Sequence, residues 1–144
     1  MALSFEEIMR RPASEFKPPE AFPVGTYHCL VDGPPEAGKS SQKGTDYLRF
    51  KFKILKPYKG VDEVLAAELQ VVGKQIQNDY YITEGATYRL TDLLKDDLGI
   101  EVEGKPMDQA VAEAPGKQLL VTLKHELSQD GKRTFHRVAS TSHV

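Results

Sequence analysis

Residues 47–55 read YLRFKFKIL. Leu48, Phe50, Phe52 and Ile54 alternate with Tyr47, Arg49, Lys51 and Lys53, and a side-chain period of two is that of a β-strand with one buried and one wet face. The wet face carries three positive charges and one tyrosine, spread over about 20 Å at the rise of a strand. A strand of this kind needs a sheet around it, so its partners must lie in the flanking sequence.

Upstream, Thr26 to Asp32 predicts a first strand, and the residues from Gly33 to Asp46 a long loop. That loop opens with GPPEAGKS, Gly33 to Ser40, which fits the G-x-x-x-x-G-K-[ST] pattern of a phosphate-binding loop. Such a loop works by aiming backbone N–H groups and the N-terminus of a following helix at the phosphates. Here SQKGTD and then the strongest strand of the chain follow, which leaves no room for the helix. Pro34 and Pro35 remove two of the backbone donors. An apolar strand ending in a magnesium-organising carboxylate is also missing, since LLVTL at 119–123 is followed by Lys124 and His125. The motif is read as the start of a loop and the chain as no enzyme; nucleotide hydrolysis would demand a magnesium-dependent turnover lost in Lys39→Ala.

Further upstream, Ser4-Phe5-Glu6-Glu7 has the spacing of a capping box and predicts a short helix over Phe5 to Arg10. Residues 11–24, with four prolines, predict an extended arm lying on the domain surface. Residues 1–24 are thus an N-terminal helix and arm, and 25–144 the folded domain.

Downstream, Lys56 to Gly60 is turn-like, and Val61 to Val72 fits a short helix or a helix running into a strand. Gln75 to Ile82 predicts the third strand, with Ile76, Tyr80 and Ile82 inward and Gln75, Gln77 and Tyr81 outward. Thr83 is placed as the cap of a helix reaching Leu98, with Leu90, Leu93, Leu94 and Leu98 at helical spacing and Gly99 at its end. Pro106 to Ala114 predicts a second short helix. Lys117 to Leu127 and Arg133 to Ser140 form a hairpin around the Asp130-Gly131 turn. The fold class is mainly β with α+β character: three strands, a helix, then two strands.

Composition agrees with one soluble domain: 144 residues, 40% apolar, 28% charged, net charge −2. The sequence pI is near 6.1, whereas nucleic-acid-binding domains more often exceed a pI of about 9, so any cationic surface must be local. No apolar run approaches the ~20 residues of a membrane span, and MALSFEEIMRR lacks the pattern of a secretory signal. The expectation is a cytoplasmic protein without membrane contact. The single cysteine, Cys29, excludes an intrachain disulfide and reads as a small core residue. His28, His125, His136 and His143 are scattered, with His125 and His136 placed as cross-strand neighbours on the hairpin. They lack the spacing of a metal set, so neither metal nor cofactor is expected. Asp96 and Asp97 read as a solvated helix end.

Four stretches carry a resemblance. PVGTYHCLVDG, KSSQKGTDYLRFKFKIL, DYYITEGATYRLTDLLKDDLGI and GKQLLVTLKHELSQDGKRTFHRV together resemble the small phage-type single-stranded DNA-binding proteins. The match covers residues 23–139. In that family these segments form an OB-fold, a five-stranded Greek-key barrel with a helix between strands 3 and 4, whose second and third strands and flanking loops bind oligonucleotides. The resemblance implies a replication or recombination accessory protein that coats single-stranded DNA, in the host cytoplasm if phage-encoded, with replisome or recombination proteins as partners. It places Arg49, Lys51 and Lys53 on phosphates and Tyr47 and Tyr81 under bases.

The residues alone allow the same arrangement. Tyr47 and Tyr81 supply stacking faces, and Lys39 and Lys43 in the preceding loop, with Lys132 and Arg133 at the final hairpin, close around a bound strand. A sheet face kept wet by lysines that discourage edge pairing explains the same alternation. The rival function is an OB-fold protein-interaction or virion-structural domain that docks through its proline-rich arm without nucleic acid.

Overall fold

A computed structural model describes residues 4–13 and 20–144. In chain order the elements are α1 (Phe5–Arg10), β1 (Gly25–Val31), β2 (Glu36–Lys39), β3 (Asp46–Lys59), α2 (Glu63–Glu68), β4 (Gln75–Tyr81), α3 (Tyr88–Asp92), α4 (Met107–Ala112), β5 (Gln118–Leu127) and β6 (Thr134–Ser142). A π turn over Leu93–Asp97 extends α3. The chain is a mainly-β antiparallel sheet with short helices, and no helix among the described residues is long and apolar enough to cross a membrane.

β3 is the spine. Along one edge it pairs with β4, from Tyr47↔Tyr81 to Lys53↔Gln75. Along the other it pairs with β2 near its start and with β1 from Phe52 onward. β1 then pairs with β5, and β5 with β6. The period-two reading of residues 47–55 holds: Phe50, Phe52 and Ile54 are fully buried. They pack with Tyr27, Cys29 and Val31 of β1, Ile76 and Tyr80 of β4, and Leu119, Val121 and Leu123 of β5. The buried Tyr27 hydroxyl donates to the Pro23 carbonyl at 2.6 Å, so its burial leaves no polar atom unsatisfied.

Several expectations are corrected. The loop between the first two predicted strands holds β2, so the described residues form six strands rather than five, and the GPPEAGKS stretch is in part an edge strand. Ser40 closes the turn after it, exchanging backbone bonds with Thr45 and Gly44 while its Oγ accepts from the Thr45 N–H at 3.1 Å. Lys56 to Lys59 is not a turn; β3 runs on to Lys59, opposing Pro57 to Tyr27, with the β1–β3 register skipping Leu55 and Tyr58 of β3 on either side. The ambiguous segment 61–72 contains α2, capped by the Asp62 carboxylate, which accepts from the Leu65 N–H.

The helix expected from Thr83 starts later. Thr83 Oγ1 accepts from the Ala86 N–H at 3.1 Å in a turn that precedes α3, and Ile82, beyond the end of β4, is 37% exposed rather than inward. Leu90, Leu93, Leu94 and Leu98 are buried as their spacing requires. The π turn brings the Leu98 N–H to the Leu93 carbonyl at 3.0 Å, and Gly99 follows at φ +69° in the left-handed position where glycine carries no Cβ penalty. Asp97 is half-buried instead of solvated: the Thr141 hydroxyl of β6 donates to its carboxylate, and burial, more than its charged neighbours, holds that carboxyl above its ordinary range.

At the N-terminus α1 forms as expected, Ser4 Oγ accepting from the Glu7 N–H at 3.2 Å. The arm expected over 11–24 lies partly outside the described residues, at 14–19. Its last part is seated: Phe22 packs against the core and Pro23 is buried.

The sheet does not close on itself. β4 and β6 end the pairing order and approach each other without a ladder. Ala86 and Arg89, from the segment after β4, line the gap together with side chains of both strands, so clefts stand where a closing row of hydrogen bonds would run.

Candidate nucleic-acid interface

The outer face of β3 presents Tyr47, Arg49, Lys51 and Lys53, and the register sets Tyr81, Asp79, Gln77 and Gln75 of β4 beside them. The Tyr47 and Tyr81 rings meet edge to face, centroids 6.1 Å apart and planes at 72°, the arrangement that aromatic quadrupoles favour. The Arg49 guanidinium lies 5.3 Å from the Tyr47 ring centroid. Tyr47 can lie across β2 because residue 38 is glycine; a Cβ there would stand 2.6 Å from its ring and hydroxyl. The glycine of the apparent phosphate-binding motif thus makes room for an aromatic ring.

Acidic neighbours offset the basic face. Asp79 takes both arms of the Arg49 fork, at 2.8 and 3.2 Å, and this hydrogen-bonded pairing raises the guanidinium pKa. Glu36 accepts from Lys51 at 2.5 Å, and that hydrogen bond, then the Lys51 charge, lowers the Glu36 pKa. Lys39 stands 3.5 Å from Asp46. Among the described residues Lys53 has no ion-pair partner. The Lys39–Asp46 pair is well solvated and the Arg49–Asp79 and Lys51–Glu36 pairs are partly exposed, so solvent weakens the hold of each carboxylate on its cation.

Clefts open on both sides of Tyr81. One, about 520 Å³, runs from Ser41 and Lys43 of the β2–β3 turn to Tyr81 and Thr83. Another, about 540 Å³, opens between β4 and β6 and is lined by Arg49, Tyr81, Arg89 and Arg137 among others. The fold therefore brings together Lys43, Tyr47, Arg49 and Tyr81 of the expected set. Lys51 and Lys53 share the face of Tyr47 and Arg49 but line neither cleft, and Lys39, opposite Asp46 in the register and so on the other face, lines neither as well. Lys132 and Arg133 sit on the hairpin tip, where their backbone N–H groups donate to Asp130 and Ser128, and they too line neither cleft. Arg89 and Arg137 escaped the sequence reading because only the meeting of β4 with β6 makes them neighbours of Tyr81.

The remaining candidates have structural partners. His125 and His136 face each other across β5 and β6 and both hold the backbone of Phe22. His28 bonds Gln118 at 2.7 Å, and His143 reaches the Asp97 carbonyl. Among the described residues no group of three or more His, Cys, Asp or Glu side chains is placed to hold a metal. No helix follows Lys39; the segment after it is a turn leading into β3.

Compared with known proteins, the chain matches no family model and no curated sequence.

Proposed function

We propose that the chain is a sequence-independent single-stranded DNA-binding protein built on an OB-like barrel, acting beside replication or recombination enzymes. The observation that carries this reading is the Tyr47–Tyr81 pair on a wet sheet face, with Arg49 against one ring and cation-lined clefts on both sides of the other. Aromatic faces accept any base, and stacking is worth about 1–3 kcal/mol per base, while cations take the phosphates. The antiparallel order β4-β3-β1-β5-β6, with β2 as an addition along β3, supports the OB-like reading, because that fold is itself a partly open Greek-key barrel.

Net charge −2 and the acids beside Arg49, Lys51 and Lys39 imply that phosphates must displace carboxylates, so binding is moderate and strongly salt-dependent. The test is fluorescence anisotropy of a labelled oligo-dT of about 30 nucleotides at two salt concentrations. Wild type is compared with Tyr81→Ala and with the triple variant Arg49→Ser, Lys51→Ser, Lys53→Ser. Salt-sensitive binding weakened in both variants supports the proposal. Absence of binding by wild type at low salt refutes it.

One observation favours a second reading. α1 buries none of its residues, and Phe5 and Met9 are 77% and 68% exposed, a surface suited to a protein partner. Under that reading the chain is an interaction or virion-structural domain, and the oligonucleotide does not bind.

A further inference from the structure

From the two clefts that meet at Tyr81, we infer that a bound strand crosses the sheet at the end of β4 and enters the open seam between β4 and β6, where Arg89 and Arg137 hold its phosphodiester backbone. This rests on the proposed single-stranded DNA binding and specifies the path, which runs across β4 rather than along β3 from Tyr47 to Lys53.

Three observations lead there. Tyr81 lines both the cleft beginning at Lys43 and the cleft ending at Arg137, so the two form one course with an exposed aromatic ring at its midpoint. The alternative path along β3 ends at Lys53 and leaves the seam unused. Second, the seam is rich in guanidinium groups: Arg49, Arg89 and Arg137 all line it, against the one carboxylate of Asp79, which Arg49 already engages. Third, the two arginines beyond Arg49 are lightly committed. Arg89 donates to the Tyr88 hydroxyl at 3.3 Å, with its guanidinium 5.7 Å from that ring's centroid, and has no ion-pair partner among the described residues. Arg137 has one 3.3 Å bond to Glu126, and both side chains are about half exposed.

The chemistry identifies the occupant. A guanidinium presents a planar fork suited to phosphate oxygens, and Tyr81 between two cationic clefts offers the stacking surface that a base requires. An acidic peptide would satisfy the arginines and leave the tyrosine without a role.

The experiment uses the full chain with Arg89→Ser/Arg137→Ser, Arg89→Lys/Arg137→Lys and Glu126→Gln, each measured against labelled dT₃₀ over a salt series, with polyglutamate as a competing probe. Protection of the buried Cys29 thiol confirms folding of every variant. The double serine variant is expected to bind about tenfold more weakly, and its salt slope to fall by about 1.4, roughly 0.7 for each single-strand phosphate that the arginines no longer neutralise. The lysine variant retains the slope, and Glu126→Gln, which releases Arg137, binds more tightly. If wild type binds dT₃₀ and the double serine variant keeps its affinity and slope, the seam path is wrong while single-stranded DNA binding stands. If wild type binds polyglutamate and not dT₃₀, both are wrong and the seam is an acidic-peptide site.

Discussion

The ring of Phe22 lies flat on the imidazole of His136, with centroids 4.3 Å and planes 9° apart, and the Phe22 N–H donates to His136 Nδ1 at 3.0 Å. His125 Nε2 meets the Phe22 carbonyl at 2.8 Å. Two histidines facing each other across a hairpin thus fasten the arm to the sheet through one residue. Because Nδ1 accepts a hydrogen bond, His136 is neutral in this arrangement, and burial followed by the His125 charge lowers its pKa from the ordinary 6.5.

A pH dependence follows, with a definite sign. The unfolded chain binds a proton at His136 more readily than the folded chain, so the stabilisation is fully present above pH 6.5 and is lost as pH falls toward and through the lowered folded value. The wild-type urea midpoint is expected to decline across this window. His136→Phe keeps a ring against Phe22 but cannot titrate, and its midpoint should not show that decline. A wild-type profile that is flat below pH 6.5 would refute the latch.

Gly38 and Tyr47 give a second prediction. A methyl group at residue 38 meets the far end of the Tyr47 side chain, not backbone, so the ring can swing away. Gly38→Ala is expected to change stability by no more than about 1 kcal/mol while disturbing the edge contact with Tyr81 and weakening oligo-dT binding. A loss of stability without any effect on binding would place Tyr47 outside the interface.

The third concerns Arg49 and Asp79. Their fork is the best-formed ion pair on the face, yet in the proposed function it competes with phosphate. Asp79→Asn removes the competing charge and keeps a hydrogen-bond acceptor beside the guanidinium. Oligo-dT affinity is expected to rise roughly two- to fivefold, the scale of one solvated ion pair, with a steeper salt dependence. A fall in affinity would show instead that Asp79 orients Arg49 for binding.

How much of this was legible in the sequence depended on burial. β3 declared itself because Phe50, Phe52 and Ile54 all face the core, and one buried face imposes period two. β2 did not, because Glu36, Ala37 and Lys39 are exposed and Gly38 only half-buried, so no period marks it as a strand. The basic face was legible as Arg49, Lys51 and Lys53, but its neutralisation was not: Asp79 lies 30 residues from Arg49, and Glu36 lies 15 from Lys51. Pairings of that kind depend on strand order and register rather than on local pattern. The seam that adds Arg89 and Arg137 depends on the same topology, and on a ladder between β4 and β6 that fails to form.

Cys29 gives the last prediction. It sits in β1 between buried neighbours with no measurable exposure, and burial pushes its thiol up to about 12. At pH 8 the reactive thiolate is then far scarcer than in a free cysteine near its ordinary pKa. Native protein is expected to resist Ellman's reagent for as long as the sheet stays closed over β1, and to react fully in denaturant. The labelling rate in intermediate urea then reports opening of the β1–β3–β5 core. Rapid stoichiometric labelling of the native chain would show that this part of the sheet opens freely. Cys29→Ser, which puts a hydroxyl between Ile54 and Leu119, is expected to cost about 1–3 kcal/mol, measured as a shift of the same urea midpoint.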